Sequence, residues 1–327
     1  MKQVPILEVK DLVVYYETMK GDVKAVDNIN FELEKGGALG LAGESGCGKT
    51  TVALTLLKLL PYNAKVLKGE ILLDGKNILT LSDDEIRKTV RWKRISMVPQ
   101  AAMNALNPVF KVSDQIAEAI ILHEQVSEDE AKTRSIELLK KVGIDPSRAN
   151  HYPHEFSGGM KQRVMIAMAL ACNPEIIIAD EPTTALDVIV QAQVLKVIKT
   201  LQTELSLSMI LISHDLSVVA QTCDRTAIMY AGEIDEDAST KDLFTEQLHP
   251  YSIGLINAFP SLAGEKKRLY SIKGSPPNLL NPPPGCRFHP RCPYAKDVCK
   301  AVIPLSIEIH RKHHVACHMV NKDPRYL

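Results

Sequence analysis

The chain has 327 residues, of which 45% are hydrophobic and 24% are charged, and its formal net charge at pH 7 is zero. A chain of this size can bury a full core and hold more than one domain. It contains no apolar run of the roughly 20 residues that a membrane-spanning helix needs, and its first residues do not form a secretory signal peptide. We therefore expect a cytoplasmic chain that takes any membrane role through a partner.

Residues 1–249 alternate between strand-like and helical apolar runs, which predicts a single α/β unit. A short apolar strand, Leu39–Ala42, leads into a glycine-rich loop. A helix is predicted over Thr50–Leu60, with Pro61 ending it. A second buried strand is predicted over Ile95–Pro99. This order of strand, glycine-rich loop and helix is typical of a phosphate-binding turn.

The middle of the chain is more helical. One helix is predicted over Val112–His123, and another begins at a capping box, Ser127–Glu130, and ends at Gly143. The pattern then predicts an apolar helix ending at Ala171, strands over Ile176–Ala179 and Met209–Ile212, and a hairpin of Thr226–Tyr230 and Glu233–Asp235 that turns at Gly232.

Composition changes near residue 250. Residues 250–327 hold 11 of the 19 prolines, four of the seven cysteines, and 12 Lys and Arg against 4 Asp and Glu. So many prolines are unfavourable for helices or a continuous sheet, so we expect a small, loop-rich extension after an α/β unit of residues 1–249. This excess of basic over acidic residues is compatible with a solvated surface, a nucleic acid or membrane partner, or an anionic metal centre.

The glycine-rich loop, Gly43–Thr50, matches the G-x-x-x-x-G-K-[ST] pattern in full. In such a P-loop the glycines let backbone N–H groups turn towards phosphates, and the helix that follows adds its positive end. Lys49 is predicted to reach the β- and γ-phosphates and the Thr50 hydroxyl to bind Mg²⁺. The sequence therefore predicts a nucleoside triphosphate site.

Two carboxylates follow the apolar strand that begins at Ile176. Asp180 is suited to Mg²⁺, which prefers oxygen ligands, and Glu181 to polarising a water molecule that attacks the γ-phosphate. Gln100 and His214 each follow another strand, where an α/β sheet binds its ligands. Neither residue alone would indicate a site.

The segment Phe156–Arg163, Phe-Ser-Gly-Gly-Met-Lys-Gln-Arg, resembles the signature of the ATP-binding-cassette (ABC) family. The P-loop, Gln100, the signature, the two carboxylates, Asp187 and His214 occur in the order and spacing of ABC ATPases, over nearly all of residues 6–249. The resemblance implies an α/β, ABC-type P-loop ATPase core with a helical subdomain at about 101–169. By resemblance the catalytic residues are Glu181, His214 and Gln100, and the Mg²⁺ ligands are Thr50, Gln100 and Asp180. The implied ATP-binding residues are Tyr16, Gly43, Glu44, Ser45, Gly46, Cys47, Gly48, Lys49, Thr50, Thr51, Gln100, Asp180, Ser157, Gly158, Gly159 and Asp187.

The resemblance also implies how the chain works with partners. Tyr16 would stack on adenine, with Tyr15 as the alternative because only one of them lies on the right face of a strand. Ser157–Gly159 would act on the nucleotide of a second ATP-binding subunit, a copy or a paralogue, in a head-to-tail dimer. Residues 101–155 would dock onto one of two membrane permease subunits, with Gln100 as the hinge. Phe156 and Thr184 stand where many members of the family have Leu and Ser.

A single cassette without membrane spans is typical of importer subunits. The tail, from His249-Pro-Tyr251 to the Pro-Pro-Pro-Gly-Cys-Arg-Phe-His-Pro-Arg-Cys run at Cys292, resembles the C-terminal extension of dipeptide and oligopeptide importer ATPases, of their D type. We expect a peripheral subunit on the cytoplasmic face that powers peptide import, served by an extracytoplasmic solute-binding protein, and no nucleic-acid partner. The alternatives are an importer of nickel or another solute, and a soluble, nucleic-acid-linked ATPase.

Four tail cysteines, Cys286, Cys292, Cys299 and Cys317, have the spacing C-x5-C-x6-C-x17-C. The paired C-x2-C turns of zinc ribbons are absent, while four more widely spaced thiolates are compatible with an iron–sulfur cluster. The peptide-importer resemblance implies a structural [4Fe–4S] cluster; zinc, with His289 or His318 as a substitute ligand, and free thiols remain the alternatives. Four basic residues flank the cysteines and suit an anionic cluster, namely Arg287, Arg291, Lys296 and Lys300.

Overall fold

In a computed structural model of the chain, residues 5–100, 105–258, 272–310 and 312–320 are described. The first four residues of the predicted helical subdomain, 101–104, lie outside these ranges. The chain divides into two compact units. The first unit contains Leu33–Ala38 and Thr80–Ile212, and the second contains Pro5–Glu32, Leu39–Leu79 and the residues from Ser213 onwards.

The first unit contains a parallel sheet. Its strands are β6 (Ile95–Val98), β7 (Ile176–Asp180) and β8 (Ser208–Ser213). In β7, Ile176 pairs with Ile95 on one side and with Ser208 on the other, so β7 lies between the two others. All five residues of β7 are buried, as expected for a parallel strand with both faces covered.

The described residues of the first unit form five α-helices. The predicted helix over Val112–His123 is found with the same bounds, and the next begins after Ser127, whose hydroxyl accepts a 3.2 Å hydrogen bond from the Glu130 N–H. The predicted helix that follows the signature ends at Ala169, two residues early. The helices are α2 (Asp83–Thr89), α3 (Val112–His123), α4 (Glu128–Lys141), α5 (Gly158–Ala169) and α6 (Val188–Glu204).

The second unit contains an antiparallel sheet with the strand order β2-β1-β4-β5. In this sheet Tyr15 and Tyr16 lie opposite Lys65 and Ala64. Successive side chains of a strand point to opposite faces, so the two tyrosines lie on different sides of the sheet. The strands are β1 (Leu7–Thr18), β2 (Gly21–Leu33), β4 (Ala64–Leu73) and β5 (Lys76–Asn77).

A second set of strands in this unit has the order β11-β12-β10-β9-β3. β3 is parallel to β9, and β9 and β10 form the predicted hairpin, which turns through Ala231 and Gly232 with φ of +49° and +90°. The strands are β3 (Ala38–Ala42), β9 (Arg225–Tyr230), β10 (Glu233–Ser239), β11 (Ile307–His310) and β12 (His313–Val315).

The helices of the second unit are short. The helix after the P-loop ends four residues before the predicted Leu60, because Lys58 adopts the left-handed conformation with φ of +47°. The helices are α1 (Lys49–Leu56), α7 (Leu216–Thr222), α8 (Thr240–Thr245), α9 (Pro250–Asn257) and α10 (Asp297–Ala301). Across the described ranges, no helix is both long and apolar enough to cross a bilayer.

The proline-rich tail is more ordered than its composition predicts. Residues 272–296 contain no helix or strand, as expected. However, Pro250 begins an eight-residue helix, because a proline in the first helical turn lacks only an N–H that would have no partner inside the helix. The hairpin β11–β12 also pairs with β10, through Glu236 opposite Val315. The tail is therefore partly built into the sheet of the second unit.

Candidate nucleotide site and cysteine cluster

The P-loop lies between β3 and α1 of the second unit, and two of its glycines cannot be replaced without displacing the backbone. Gly43 has φ of +151°, and an added Cβ would lie 2.1 Å from the carbonyl oxygen of Met229. Gly48 has φ of +110°, and its Cβ would lie 2.2 Å from the carbonyl oxygen of Ala25. Only glycine permits both this conformation and this approach.

Lys49 is held inside the loop. Its Nζ donates hydrogen bonds of 2.7 Å to the Gly43 carbonyl and 3.0 Å to the Glu44 carbonyl. The Cys47 sulfur lies 3.5 Å from the same Nζ. Burial raises the pKa of the Cys47 thiol, which Lys49 only partly opposes, so this cysteine is a neutral side chain at pH 7.

The start of α1 carries the predicted Mg²⁺ and nucleotide ligands Thr50 and Thr51. Gly48, at the N-cap, has no side chain to bond the first N–H groups of this helix; such groups at a helix N-terminus favour an anion. Thr50 is exposed, and the Thr51 hydroxyl lies 3.1 Å from that of Tyr16. Tyr16 is therefore next to the P-loop helix.

Tyr15 has different neighbours. The Lys24 Nζ lies 6.0 Å from its ring centroid, and its pKa is raised by burial and by the carboxylate of Asp27. The structure thus gives the two candidate adenine-stacking tyrosines different neighbours, and the contact with Thr51 places Tyr16 beside the helix that follows the P-loop.

Two residues that the motif does not include also contact the P-loop. The Glu44 N–H donates a 3.0 Å hydrogen bond to the hydroxyl of Tyr251, and the Glu44 carboxylate pairs with Arg291 at 2.6 Å. Both partners lie more than 200 positions away in the sequence. The sequence carries no signal that either residue contacts the P-loop, although both lie in segments that resemble the importer extension, His249-Pro-Tyr251 and Pro-Arg-Cys292.

The two carboxylates lie at the end of β7 in the first unit. Asp180 is fully buried. Glu181 is half-buried and has φ of +48°, an unfavourable conformation for a residue with a side chain. Its Oε2 accepts a 3.3 Å hydrogen bond from the Gln100 amide and a 2.9 Å one from the Thr184 hydroxyl. The structure therefore brings two of the three predicted catalytic residues together.

The signature forms the start of α5. The Ser157 hydroxyl caps this helix by accepting a 3.4 Å hydrogen bond from the Met160 N–H, and Ser157 remains exposed. Gly158 is half-buried and Gly159 is buried. A Cβ on Gly159 would lie 2.2 Å from Cγ1 of Val190, which is in α6. The second glycine is therefore required by helix packing as well as by its predicted role.

Asp187 and His214 are both exposed. The Asp187 carboxylate caps α6 by accepting a 2.9 Å hydrogen bond from the Val190 N–H, so its negative charge stabilises the start of this helix. His214 directly follows β8, at the strand end where the sequence predicts it.

The four tail cysteines lie near one another in the second unit, and none of them forms a disulfide. Burial raises the pKa of the Cys286 thiol, and nearby Asp235, Cys317 and Cys299 raise it further. The pKa of Cys317 is raised to about 11, mainly by burial. Within the described ranges, however, no three His, Cys, Asp or Glu side chains are arranged as a metal-binding group. Four cysteine sulfurs are suitable donors for a thiolate-bound metal. Their positions in this structure, however, do not form a metal-binding arrangement.

Three of the four basic residues expected to offset an anionic cluster have other partners. Arg287 pairs with Asp27 and, at 3.0 Å, with Glu233. Lys300 pairs with the exposed Asp297 at 2.9 Å. Together with the pairing of Arg291 and Glu44, these contacts pair three of the four flanking positive charges with carboxylates of the same unit.

Comparison with known proteins supports the assignment to the ABC ATPases. The ABC transporter family matches residues 26–184, and the family described as "Oligopeptide/dipeptide transporter, C-terminal region" matches residues 236–299. The oligopeptide transport ATP-binding protein OppD of Escherichia coli is 47% identical over 92% of this chain and 89% of its own length. The dipeptide transport ATP-binding protein DppD of Bacillus subtilis is 47% identical over 95% of this chain and 94% of its own length.

Solved structures agree on the fold. The dimeric ATP-binding cassette MJ0796, in a post-hydrolysis state bound to ADP and phosphate, has a TM-score of 0.64 and 30% identity, and covers 72% of this chain and 98% of its own. The match to an ABC cassette, the P-loop and signature, and the sequence similarity to OppD and DppD lead to one conclusion: the chain belongs to the ATP-binding proteins of the oligopeptide/dipeptide ABC transporter family.

Proposed function

We propose that this chain is the ATP-hydrolysing subunit of an ABC transporter that imports dipeptides or oligopeptides. The observation that carries this proposal is the 47% identity to OppD and DppD over more than nine tenths of the chain. The match of residues 236–299 to the C-terminal region of such transporters supports the peptide assignment separately from the ATPase core.

ATP and Mg²⁺ would be bound as the motifs predict. In the second unit the P-loop N–H groups and Lys49 hold the phosphates, Thr50 is a ligand of Mg²⁺, and Tyr16 stacks on adenine. The contact of Tyr16 with Thr51 supports this choice over Tyr15. The other predicted Mg²⁺ ligands, Asp180 and Gln100, belong to the first unit. Carboxylate, amide and hydroxyl oxygens suit a hard cation.

Glu181 would polarise the attacking water, with His214 contacting the γ-phosphate. The hydrogen bonds from Gln100 and Thr184 to one oxygen of Glu181 support this role, because they orient the carboxylate.

A second ATP-binding cassette would complete the ATPase dimer. Ser157–Gly159 of this chain would act on the nucleotide of the partner subunit, head to tail, and Ala185-Leu186-Asp187 would communicate across the dimer interface. Their neighbours support an interface here, since Val188 and Ile189, next to Asp187, are 82% and 73% exposed. ATP would close the pair of cassettes and hydrolysis would reopen it.

The helical residues 101–169 would dock onto a membrane permease. A cavity of about 400 Å³ between α3 and α4 supports this surface, and Leu122 on its rim is 72% exposed. The chain would then lie at the cytoplasmic face of the membrane, with residues 1–249 as the cassette and 250–327 as the extension. The cavity is lined by Asp114, Ala117, Glu118, Ile121, Leu122, Glu128 and Lys132.

The four cysteines would hold a structural [4Fe–4S] cluster, with zinc as the alternative. The closeness of Cys286 to Cys299 and Cys317 supports a shared metal, whose binding would have to draw the thiols into a ligand set. Anaerobic purification followed by iron and acid-labile sulfide analysis tests this. About four iron and four sulfide per chain are expected, whereas a colourless, zinc-loaded chain or a metal-free one would refute the cluster.

The transport function is tested in the complex of this chain with its permease subunits and the external binding protein, reconstituted in vesicles. Peptides are expected to stimulate ATP hydrolysis and to accumulate inside, and the Glu181→Gln variant to do neither. Stimulation by nickel but not by peptides would assign the alternative solute, and stimulation by nucleic acid without permease would refute a transport role.

A further inference from the structure

Arg291 connects the cysteine-rich extension to the P-loop. Its Nη1 lies 2.6 Å from Oε2 of Glu44 and its Nη2 lies 3.0 Å from Oε1, so the pair is bidentate. The Arg291 side chain is only 6% exposed and that of Glu44 27%. Two parallel, charge-assisted hydrogen bonds of this kind are both strong and directional.

Other groups hold Arg291 in place. Its Nε donates to the Lys273 carbonyl at 3.0 Å, its Nη2 to the Gly274 carbonyl at 3.3 Å, and its Nη1 to the Tyr230 hydroxyl at 3.3 Å. The guanidinium carbon also lies 5.6 Å from the centroid of the Tyr230 ring. Because the guanidinium is fixed by these partners, it can fix Glu44 in turn.

The same stretch of the extension supports the other contact of Glu44. Phe288, three residues before Arg291, is buried against Tyr230 and Tyr251, with ring centroids 5.2 and 5.3 Å away. Tyr251 is the residue whose hydroxyl accepts the Glu44 N–H. The turn Cys286–Cys292 therefore contacts or contains both groups that bind Glu44.

Glu44 in turn shapes the resting P-loop. Its carbonyl accepts hydrogen bonds from the Lys49 Nζ at 3.0 Å and from the Cys47 N–H at 3.3 Å. A displaced Glu44 would move the carbonyl that holds Lys49, and an unpaired Glu44 carboxylate would put a negative charge beside the site for a triphosphate. The unpaired negative charge opposes the binding of an anion, and the displaced carbonyl changes the position from which Lys49 reaches the phosphates.

We propose that Arg291 is a positioning residue for the P-loop: it neutralises and orients Glu44, and so makes the affinity for ATP depend on the cysteine-bearing extension. This inference rests on the proposed nucleotide site. All the N–H donors of Arg291 point at protein oxygens, so it acts through Glu44 rather than on ATP. The effect should therefore appear in ATP binding and KM far more than in kcat.

A double-mutant cycle on the full-length chain tests this mechanism. The dissociation constant for Mg·ATP and the steady-state KM and kcat are measured for wild type, R291Q, E44Q and E44Q/R291Q. R291Q is expected to weaken ATP binding about tenfold, with kcat within about twofold. In the E44Q background the same Arg291 substitution should change ATP affinity less than about twofold, because no carboxylate is left to neutralise.

Two further variants separate positioning from general effects. K300Q also removes one positive charge from the extension, but from the exposed ion pair of Lys300 with Asp297. It is expected to bind ATP like wild type. R291K keeps the charge but loses the bidentate geometry, and is expected to lie between wild type and R291Q. Thermal melting of each variant reports folding; if R291Q does not fold, R291K and E44Q/R291K provide the same cycle.

The outcomes distinguish the two proposals. If wild type does not bind ATP, the proposed function itself fails. If wild type binds ATP and R291Q binds it equally well, only the positioning role of Arg291 is overturned. The same holds if the Arg291 substitution weakens ATP binding to the same extent with and without the Glu44 carboxylate.

Discussion

The Thr184 hydroxyl donates a 2.9 Å hydrogen bond to Oε2 of Glu181, the residue predicted to activate water. Many members of the ABC family that the sequence resembles have serine at the position of Thr184. Threonine and serine share the hydroxyl group, and in the structure this hydroxyl orients the Glu181 carboxylate. The extra methyl group of threonine is not needed for the contact.

Replacing Thr184 by valine is therefore expected to lower kcat about tenfold, since a hydrogen bond to a charged group contributes about 1.5 kcal/mol or more. T184S retains the hydroxyl and should stay close to wild type. Steady-state ATPase assays of both variants measure this effect, and equal kcat values for T184V and T184S would show that the hydrogen bond does not contribute to hydrolysis.

Substituting Glu181→Gln is expected to reduce ATP turnover by at least about 100-fold, because the amide cannot accept a proton from the attacking water. Binding of Mg·ATP should change little, as the P-loop ligands are untouched. The control is E204Q, which removes one carboxylate at the exposed end of α6. Unchanged hydrolysis in E181Q would refute the catalytic assignment.

The contact of Gly159 with Val190 predicts a stability defect that a second substitution relieves. G159A would place a methyl group 2.2 Å from Cγ1 of Val190, and such overpacking typically costs about 1–3 kcal/mol. In G159A/V190A the obstructing methyl group is removed, so part of the loss should be recovered. Urea denaturation of both variants, with V190A as the reference, measures the change; a G159A variant as stable as wild type would contradict the packing.

His249 predicts how stability depends on pH. This histidine is 1% exposed, and its Nδ1 accepts a 3.1 Å hydrogen bond from the Tyr251 N–H, so it is neutral. Burial lowers its pKa to about 4, which the carboxylate of Glu236 only partly opposes. Because it is neutral, the 3.6 Å approach of Asp235 to Nδ1 is not an ion pair.

The unfolded chain takes up this proton near pH 6.5, but the folded chain does so only near pH 4. The contribution of His249 to stability is thus complete above pH 6.5 and is lost as the pH falls towards 4, by up to about 3 kcal/mol. H249N keeps a side-chain acceptor for the start of α9, so its stability should fall less over this range. Urea denaturation of both proteins from pH 4 to 7 measures the difference, and parallel curves would contradict it.

Local patterns predicted the elements whose determinants lie within a few residues. α3 has the predicted bounds, and α4 begins at the predicted Ser127 cap, because apolar periodicity and capping depend on neighbours in sequence. α1 ended early for a reason the pattern does not contain: Lys58 turns into the left-handed region before Pro61 is reached.

Contacts between residues that lie far apart in the chain could not be predicted from the sequence. The pairing of Glu44 with Arg291 joins positions 247 residues apart, and Val315 of β12 lies opposite Glu236 of β10. Neither pair has a local signal. Charge alone suggests that the arginines of the tail offset an anionic cluster, whereas the fold shows that Arg287 and Arg291 have carboxylate partners elsewhere in the unit.

The pairing of β12 with β10 has a practical consequence for anyone who prepares a shortened protein. Glu236 is fully buried, and its carboxylate binds the N–H groups of Leu248 and His249 and the His313 ring. A fragment that stopped at residue 249 would lose His313 and leave β10 as an open edge, which promotes self-association. An ATPase fragment should therefore retain the chain at least to Val315, the end of β12.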